Sequence, residues 1–385
     1  MHPRRRLALT AAAVTAAALL TSAPAAASET PEYRSDQIAE RVPVGLELAA
    51  GETRTMRHAE AVFIKVRLDG VALGERDTVT VASPDGTESH VHDAAEVADG
   101  GLWTLSIEGE TAAVTLNDVA DGTTATARVA EYSRGLNEAE LASRPSATGQ
   151  ESICGQDDSQ NAVCYKETDP VAYAASRSVA RLIIEGESYC TGWFAGHDRM
   201  LTNEHCLSTA AQSRSTEVQF GYECAECSGG IVLQPLKISG ASVLASDFTH
   251  DFTLFTVADP AKIAHLPALE ISREPVREHE KIYIPQHSGG KPLRIASTST
   301  SEPAGLGTQC MVSDPDAPGR GWASDFAYLC DTEGGSSGSP VISRETGRVV
   351  GMHHFGGCPN QAVRMDLIYP MIAPYVDYDF SGPAR

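Results

Sequence analysis

The residues with the clearest chemical potential lie near the C-terminus, in Asp331-Thr332-Glu333-Gly334-Gly335-Ser336-Ser337-Gly338-Ser339-Pro340. A serine set between glycines on a tight turn can leave its hydroxyl exposed. The same bend turns neighbouring backbone N–H groups toward one point, where they can hold a developing oxyanion. Gly335 would free one such donor of side-chain obstruction, and Ser337 would supply both the nucleophile and the second donor. Most Gly/Ser runs are ordinary loops, so the segment gains meaning only from partners elsewhere. A serine hydroxyl is a poor nucleophile at neutral pH and needs a base, usually histidine, itself oriented by a carboxylate.

Both partners precede it in the chain. His205 sits in Leu201-Thr202-Asn203-Glu204-His205-Cys206, at the end of a strand-like segment, and Cys190 lies sixteen residues before Cys206. A bridge between those cysteines would pin the loop that carries the base. Forty-six residues after His205 comes Asp251, in Asp251-Phe252-Thr253-Leu254-Phe255. An acid leading straight into an apolar strand fits a carboxylate held at the mouth of a core. Asp247-Phe248-Thr249 is a near copy, but the polar His250 interrupts it, so Asp251 is preferred. Simple capping of a turn would explain either acid.

The elements that must position these residues fall into segments. Residues 1–27 read as a signal peptide: Arg4-Arg5-Arg6, an apolar run from Leu7 to Leu20, then Ala25-Ala26-Ala27 as a small-residue cleavage site. The apolar run is shorter than the ~20 residues a bilayer span needs, so the chain is expected to be secreted and extracellular. Losing those residues removes three arginines and no acid, which moves the formal charge from −21 to −24. So acidic a surface argues against nucleic acid and against anionic membranes as partners. All nine cysteines lie beyond residue 150, and in an exported chain they read as disulfides with one left over.

Residues 28–132 read as a β-rich N-terminal extension. Val62 to Leu68 and Thr78 to Val81 alternate, Pro84-Asp85-Gly86 makes a turn, and Leu102 to Ile107 and Ala113 to Leu116 continue the pattern. His90 and His92 could share a strand face and bind metal, but two histidines without further ligands read as surface residues. Residues 133–153, rich in Ser, Glu, Ala and Gly, read as a linker. From 154 to 385 the expected strands are Val179 to Ile184, Tyr189 to Ala195, Met200 to Thr202, Ile231 to Leu236, Phe252 to Val257, Lys281 to Ile284, Val341 to Ser343 and Val349 to His354. Many short strands with Gly/Pro turns point to an all-β barrel or double barrel.

Together these motifs resemble a family. Residues 154–376 are similar to the chymotrypsin-like (trypsin-like) serine proteases, closest to the bacterial branch of lysyl and glutamyl endopeptidases. Thr202-Asn203-Glu204-His205-Cys206 resembles the histidine box, Asp251-Phe252-Thr253-Leu254 the aspartate box, and Gly335-Ser336-Ser337-Gly338-Ser339-Pro340 the serine box, in the family's order. The resemblance implies two six-stranded β-barrels with the site between them. His205 would be the general base, Asp251 its orienting carboxylate and Ser337 the nucleophile, with the N–H groups of Gly335 and Ser337 as oxyanion hole. An acyl-enzyme would form on peptide or protein substrates, without metal or organic cofactor, in a monomer.

Typical animal members carry an aspartate directly before the nucleophile to receive a new N-terminus on activation. Here that residue is Ser336, so residues 28–150 would act either as a removable prosegment or as a retained accessory domain. Specificity is double-valued. Asp331, six residues before Ser337, matches the position that selects Lys or Arg, and basic residues are slightly preferred. Gly351-Met352-His353-His354-Phe355-Gly356-Gly357 resembles the strand whose histidine, here His353, helps bind a Glu carboxylate, and Asp331-Thr332 recurs in some glutamyl members. Phe355 and Gly356 would meet the substrate backbone. For the bridges, Cys190–Cys206 is firmest. Cys330 and Cys358 could pair across the pocket; the lysyl endopeptidases suggest instead Cys154–Cys358, Cys164 to Cys224 or Cys227, and Cys310–Cys330. The Cys224-Ala225-Glu226-Cys227 pair lacks a second CxxC for zinc. The alternative function is a protease-like secreted binding or inhibitor protein without activity.

Overall fold

In the computed structural model, residues 37–97, 100–119, 124–144 and 152–376 are described. The expected signal peptide lies outside them. Among the described residues no helix is long and apolar enough to cross a membrane.

The N-terminal part is a two-sheet sandwich. One sheet orders Ala39–Leu48, Thr126–Gly135, Phe63–Ala72 and Leu102–Trp103, with Ile107–Glu108 also paired to Phe63–Ala72; the other orders Thr53–Arg57, Thr111–Asn117, Thr78–Ala82 and Ser89–His92. Alternation places Val79, Val81, Val114 and Leu116 in a core with Ile64, Val66 and Leu68. Strand Phe63–Ala72 departs from simple alternation, because Phe63 to Val66 are all buried. Its second face is covered too: Phe63 packs with Ile183 and Tyr189 of the C-terminal part, and Lys65 reaches Glu217.

That contact is an ionic interface, not a loose tether. Lys65 Nζ lies 2.9 Å from Glu217 Oε2, and neither is more than 1% exposed. Glu217 also accepts from Ser106 N (2.8 Å), Ser106 Oγ (2.7 Å) and Gln219 Nε2 (2.6 Å). Lys237 is held at 2.7 Å by both Glu88 and Glu108. Burial alone would raise the Glu217 pKa, but the charges of Lys65 and Lys237 hold it below the ordinary carboxylate range. The expected linker is largely folded up to residue 144. Strand Thr126–Gly135 runs through its start, and Glu138–Ala142 is a helix closed by an Asn137–Glu140 capping box. Arg144 then donates to Gln37 O and Tyr189 Oη and lies over the Tyr189 ring.

The C-terminal part contains a closed barrel of Val179–Ile184, Ser188–Gly196, Arg199–Thr202, Phe252–Val257, Leu236–Asp247 and Glu217–Phe220. Leu182, Phe194, Met200, Val218 and Phe255 fill it. The second half corrects the expected pair of closed barrels. It is an eight-stranded sheet, ordered Gln160–Asn161, Arg294–Ala296, Ile282–Gln286, Pro340–Ser343, Val349–Phe355, Asn360–Arg364, Asp325–Tyr328 and Val312–Ala317. Its last strand returns to the third by single bridges, Lys281 to Met311 and nearby Thr298 to Gln309, not by a ladder. Pro315 within that strand has no N–H to donate, which suits an edge position. The expected strand Ile231 to Leu236 is also corrected: only a Cys224–Val232 bridge forms there, and the strand starts at Leu236. A shared apolar cluster including Trp193, Phe252, Leu254, Ile342, Met352 and Ile368 joins the halves beneath the site.

Candidate active site

His205 lies just past strand Arg199–Thr202, and Asp251 directly before strand Phe252–Val257; the two strands pair, Thr202 with Thr253. That ladder brings two residues distant in sequence side by side. Asp251 has φ +43°, a left-handed conformation that Asp tolerates better than most residues. Asn203 Nδ2 donates to its carbonyl (2.8 Å) and His205 N to its Oδ1 (3.0 Å), which fixes the carboxylate. The rival Asp247 accepts from His250 N and pairs with the His250 ring, so it closes a turn. The Cys190–Cys206 disulfide ties the histidine loop to the barrel.

Ser337 stands on a turn before strand Pro340–Ser343. Ser336 N donates to Glu333 O and Gly338 N to His353 O. Glycine is required twice here. Gly335 has φ +94° and a Cβ there would fall within the Tyr189 ring; Gly338 has φ +88° and its Cβ would collide with Thr191 O. The Tyr189 hydroxyl donates to Gly334 O (2.8 Å), fixing the residue before Gly335. Ser336, fully buried, accepts the Glu333 N–H through its hydroxyl and so closes the turn.

These elements bring the three side chains into line. His205 Nδ1 is 2.8 Å from Asp251 Oδ2, and His205 Nε2 is 2.9 Å from Ser337 Oγ. Asp251 is fully buried and Ser337 nearly so, while His205 is partly open to solvent. Burial would raise the Asp251 pKa, but its bonds and charge contacts with His205 and His354 hold it below the ordinary range. An ionised carboxylate there fixes His205 with N–H at Nδ1 and a lone pair at Nε2, able to take the Ser337 proton.

Sequence reasoning did not anticipate two neighbours of Asp251, His354 and Arg320, or the Asp325 behind His354. His354 Nδ1 is 3.0 Å from Asp251 Oδ2, and its Nε2 is 2.6 Å from Asp325 Oδ2. The Arg320 guanidinium lies 3.3 Å from Asp251 Oδ1 and 3.5 Å from Glu204, over the Phe248 ring. His354 had a readable signal: it follows His353 on a strand, so the two rings must take opposite faces.

The expected specificity residues are distributed differently. Asp331 is buried, and its carboxylate accepts the N–H groups of Cys154 (2.8 Å) and Asp158 (2.7 Å). Desolvation lifts its pKa to about 6, against the pull of those N–H bonds. Thr332 is buried, with no hydrogen-bond partner for Oγ1 among the described residues. His353 is buried with Nδ1 2.6 Å from the Tyr328 hydroxyl; burial, then the His354 charge, lowers its pKa to about 3. Phe355 lies against the His354 ring, and Gly356 follows it at the end of the strand. The bridges are Cys154–Cys358, Cys164–Cys227, Cys190–Cys206 and Cys310–Cys330, with Cys224 a buried thiol. Cys330 and Cys358 therefore do not pair with each other: Cys330 takes Cys310, and Cys358 takes Cys154, as in the scheme the lysyl endopeptidases suggest.

Residues 190–352 match the family model of the trypsin-like peptidase domain, and this part of the chain is such a domain. Over 223 residues the chain is 35% identical to "Secreted RxLR effector protein 73" of Plasmopara viticola, a match that takes in 55% of this chain and 53% of that protein. The chain thus spans about half the length of the curated relative it matches. Similar solved structures include the Rv3671c protease from M. tuberculosis in its active form, at 18% identity over 57% of this chain and 89% of that one, TM-score 0.39. A Glu endopeptidase in complex with MPD is also similar, at 18% identity over 58% and 98%, TM-score 0.41.

Proposed function

We propose that the protein is a secreted serine endopeptidase that cleaves peptide bonds after glutamate. The observation that carries the catalytic reading is the continuous hydrogen-bonded line from Asp251 through His205 to Ser337. In this reading His205 takes the Ser337 proton as Oγ attacks the scissile carbonyl. The N–H groups of Gly335 and Ser337 receive the oxyanion, and Asp251 stabilises the imidazolium. His205 then gives its proton to the departing amine, and water hydrolyses the acyl-enzyme by the same steps in reverse order. Secretion is supported by four disulfides and by the name of the effector relative.

The glutamate preference rests on how the pocket's charges are used. The Asp331 carboxylate is engaged by two backbone N–H groups and lifted toward neutrality, so it is a poor partner for a Lys or Arg side chain. A substrate carboxylate would give Thr332 Oγ1 a partner and would favour a proton on His353, now held neutral by burial. The buried charges between sandwich and barrel favour an N-terminal domain that stays attached, since removing it would strip Glu217 and Lys237 of their counter-ions.

A diverse peptide library incubated with the purified full chain and read by mass spectrometry tests both parts, beside a Ser337→Ala control. Cuts after Glu that vanish in the control are expected. Cuts after Lys or Arg would overturn the specificity, and no cuts at all would favour a protease-like binding protein.

A further inference from the structure

We infer that His354 and Asp325 extend the triad into a chain of five residues, in which His354 is a buried imidazolium that positions Asp251 and Asp325 is its counter-ion. The inference deepens the proposed peptidase reading, and its first test is independent of proteolysis.

The donor count requires the charge. Each ring nitrogen of His354 faces a carboxylate oxygen, Asp251 Oδ2 at 3.0 Å and Asp325 Oδ2 at 2.6 Å, and all three side chains are fully buried. Ionised carboxylates only accept, and a neutral imidazole has one N–H. A neutral ring would leave a lone pair against a carboxylate in a dry site, so one further proton is needed. Asp251 is an unfavourable home for it, because His205 N, His205 Nδ1 and the Arg320 guanidinium already address its oxygens. Asp325 is served as well: Ser324 Oγ donates to its Oδ1 (2.8 Å), and the Gln361 amide, oriented to satisfy its neighbours, donates to Oδ2 (3.2 Å). The proton therefore sits on His354, and the two carboxylates raise its affinity there against the opposing effect of burial.

The other charges nearby agree with this state. Arg320 is shared between Asp251 Oδ1 (3.3 Å) and Glu204 (3.5 Å) and so brings its own counter-ion to the cluster, His205 Nδ1 meets the same Asp251 Oδ2 as His354, and His353 turns its ring to Tyr328. The Phe355 ring stacks on His354 with centroids 4.0 Å apart. Alone, a cation beside Asp251 would cancel the negative charge that stabilises the His205 imidazolium in the transition state. Asp325 restores one net negative charge to the group while keeping the second donor that stops the Asp251 carboxylate from rotating. His354 and Asp325 are thus positioning residues, acting through Asp251.

The first experiment follows the His354 ring nitrogens by NMR in the full chain carrying Ser337→Ala, which removes self-cleavage. His354 should carry two N–H protons at pH 8, where an ordinary histidine (pKa about 6.5) is neutral, and Asp325→Asn should reduce this to one. A single proton at pH 8 before the Asp325 change, or two protons after it, overturns the inference. The second experiment uses the active chain with His354→Ala and Asp325→Asn together, so that no buried charge is orphaned. The expected result is a fall of about 10- to 100-fold in kcat with KM unchanged, the size expected for one lost donor to a charged group. Full kcat in that variant overturns the positioning role. If no variant cleaves anything, the NMR result still decides the charge state, and the peptidase reading alone fails.

Discussion

The interface between sandwich and barrel makes the sharpest stability prediction. Lys65→Met, made in the Ser337→Ala chain to prevent autolysis, removes a buried cation whose hydrogen-bond partner is Glu217. Breaking a buried ion pair costs about 3–5 kcal/mol. Glu217 keeps Ser106 N, Ser106 Oγ and Gln219 Nε2 as donors, so the low end applies, about 3 kcal/mol. Glu217→Leu should cost more, about 5 kcal/mol, because it strands the Lys65 ammonium and three donors. The double variant should cost less than the sum of the two by at least about 2 kcal/mol. In a domain of this size, about 2 °C per kcal/mol puts the Lys65→Met Tm drop near 6 °C. Thermal melts of the four proteins form the cycle. A Lys65→Met Tm within about 1 °C of the parent, or additive effects, would refute an interface that folds as one unit with the barrel.

Three further outcomes are expected. Burial would raise the Glu88 pKa, but His90, Lys237 and the Glu108 N–H hold it at about 2. Its folded value lies below its unfolded one, so its contribution is present above pH ~4.5 and lost as pH falls toward 2; denaturant titrations across that window should show a shallower loss in Glu88→Gln. Gly335→Ala, which forces a Cβ into the Tyr189 ring at φ +94°, should distort the oxyanion turn and lower kcat by about 10²–10³-fold, measured by steady-state kinetics on a peptide ester. Asp331→Asn should leave cleavage after Glu within about 3-fold while lowering stability, since the Cys154 and Asp158 N–H groups address different carboxylate oxygens and the amide puts an NH2 donor in place of one of them; a collapse of cleavage after Lys or Arg would instead make Asp331 the specificity residue.

Much of this was legible in the residue order, and the exceptions have a common cause. The barrel strands Val179–Ile184 and Phe252–Val257 and the cysteine pair at Cys190 and Cys206 depend on local pattern, whereas the partnership of His205 with Asp251 was implied by the family resemblance. Lys65 was not legible, because in an alternating strand a lysine marks the solvent face, and here a second domain covers that face. Arg320 reaches Asp251, and Asp325 reaches His354 beside it, only through the packing of the second sheet, which no local period encodes. The bridges Cys154–Cys358 and Cys310–Cys330 are those the lysyl endopeptidase resemblance suggested, and no local pattern distinguished them from a Cys330–Cys358 pair. Asp331 illustrates the limit best: nothing in its local sequence indicated that the backbone at Cys154 and Asp158 would occupy its carboxylate.

The most direct test of the central claim is labelling of the intact protein with a fluorophosphonate, which reacts with a serine activated by an adjacent base. The expected result is one adduct per chain, mapped by peptide mass spectrometry to Ser337, absent in Ser337→Ala and strongly slowed in His205→Ala. A correctly folded protein that takes no label, or that takes it equally without His205, would contradict a working Ser337–His205–Asp251 triad.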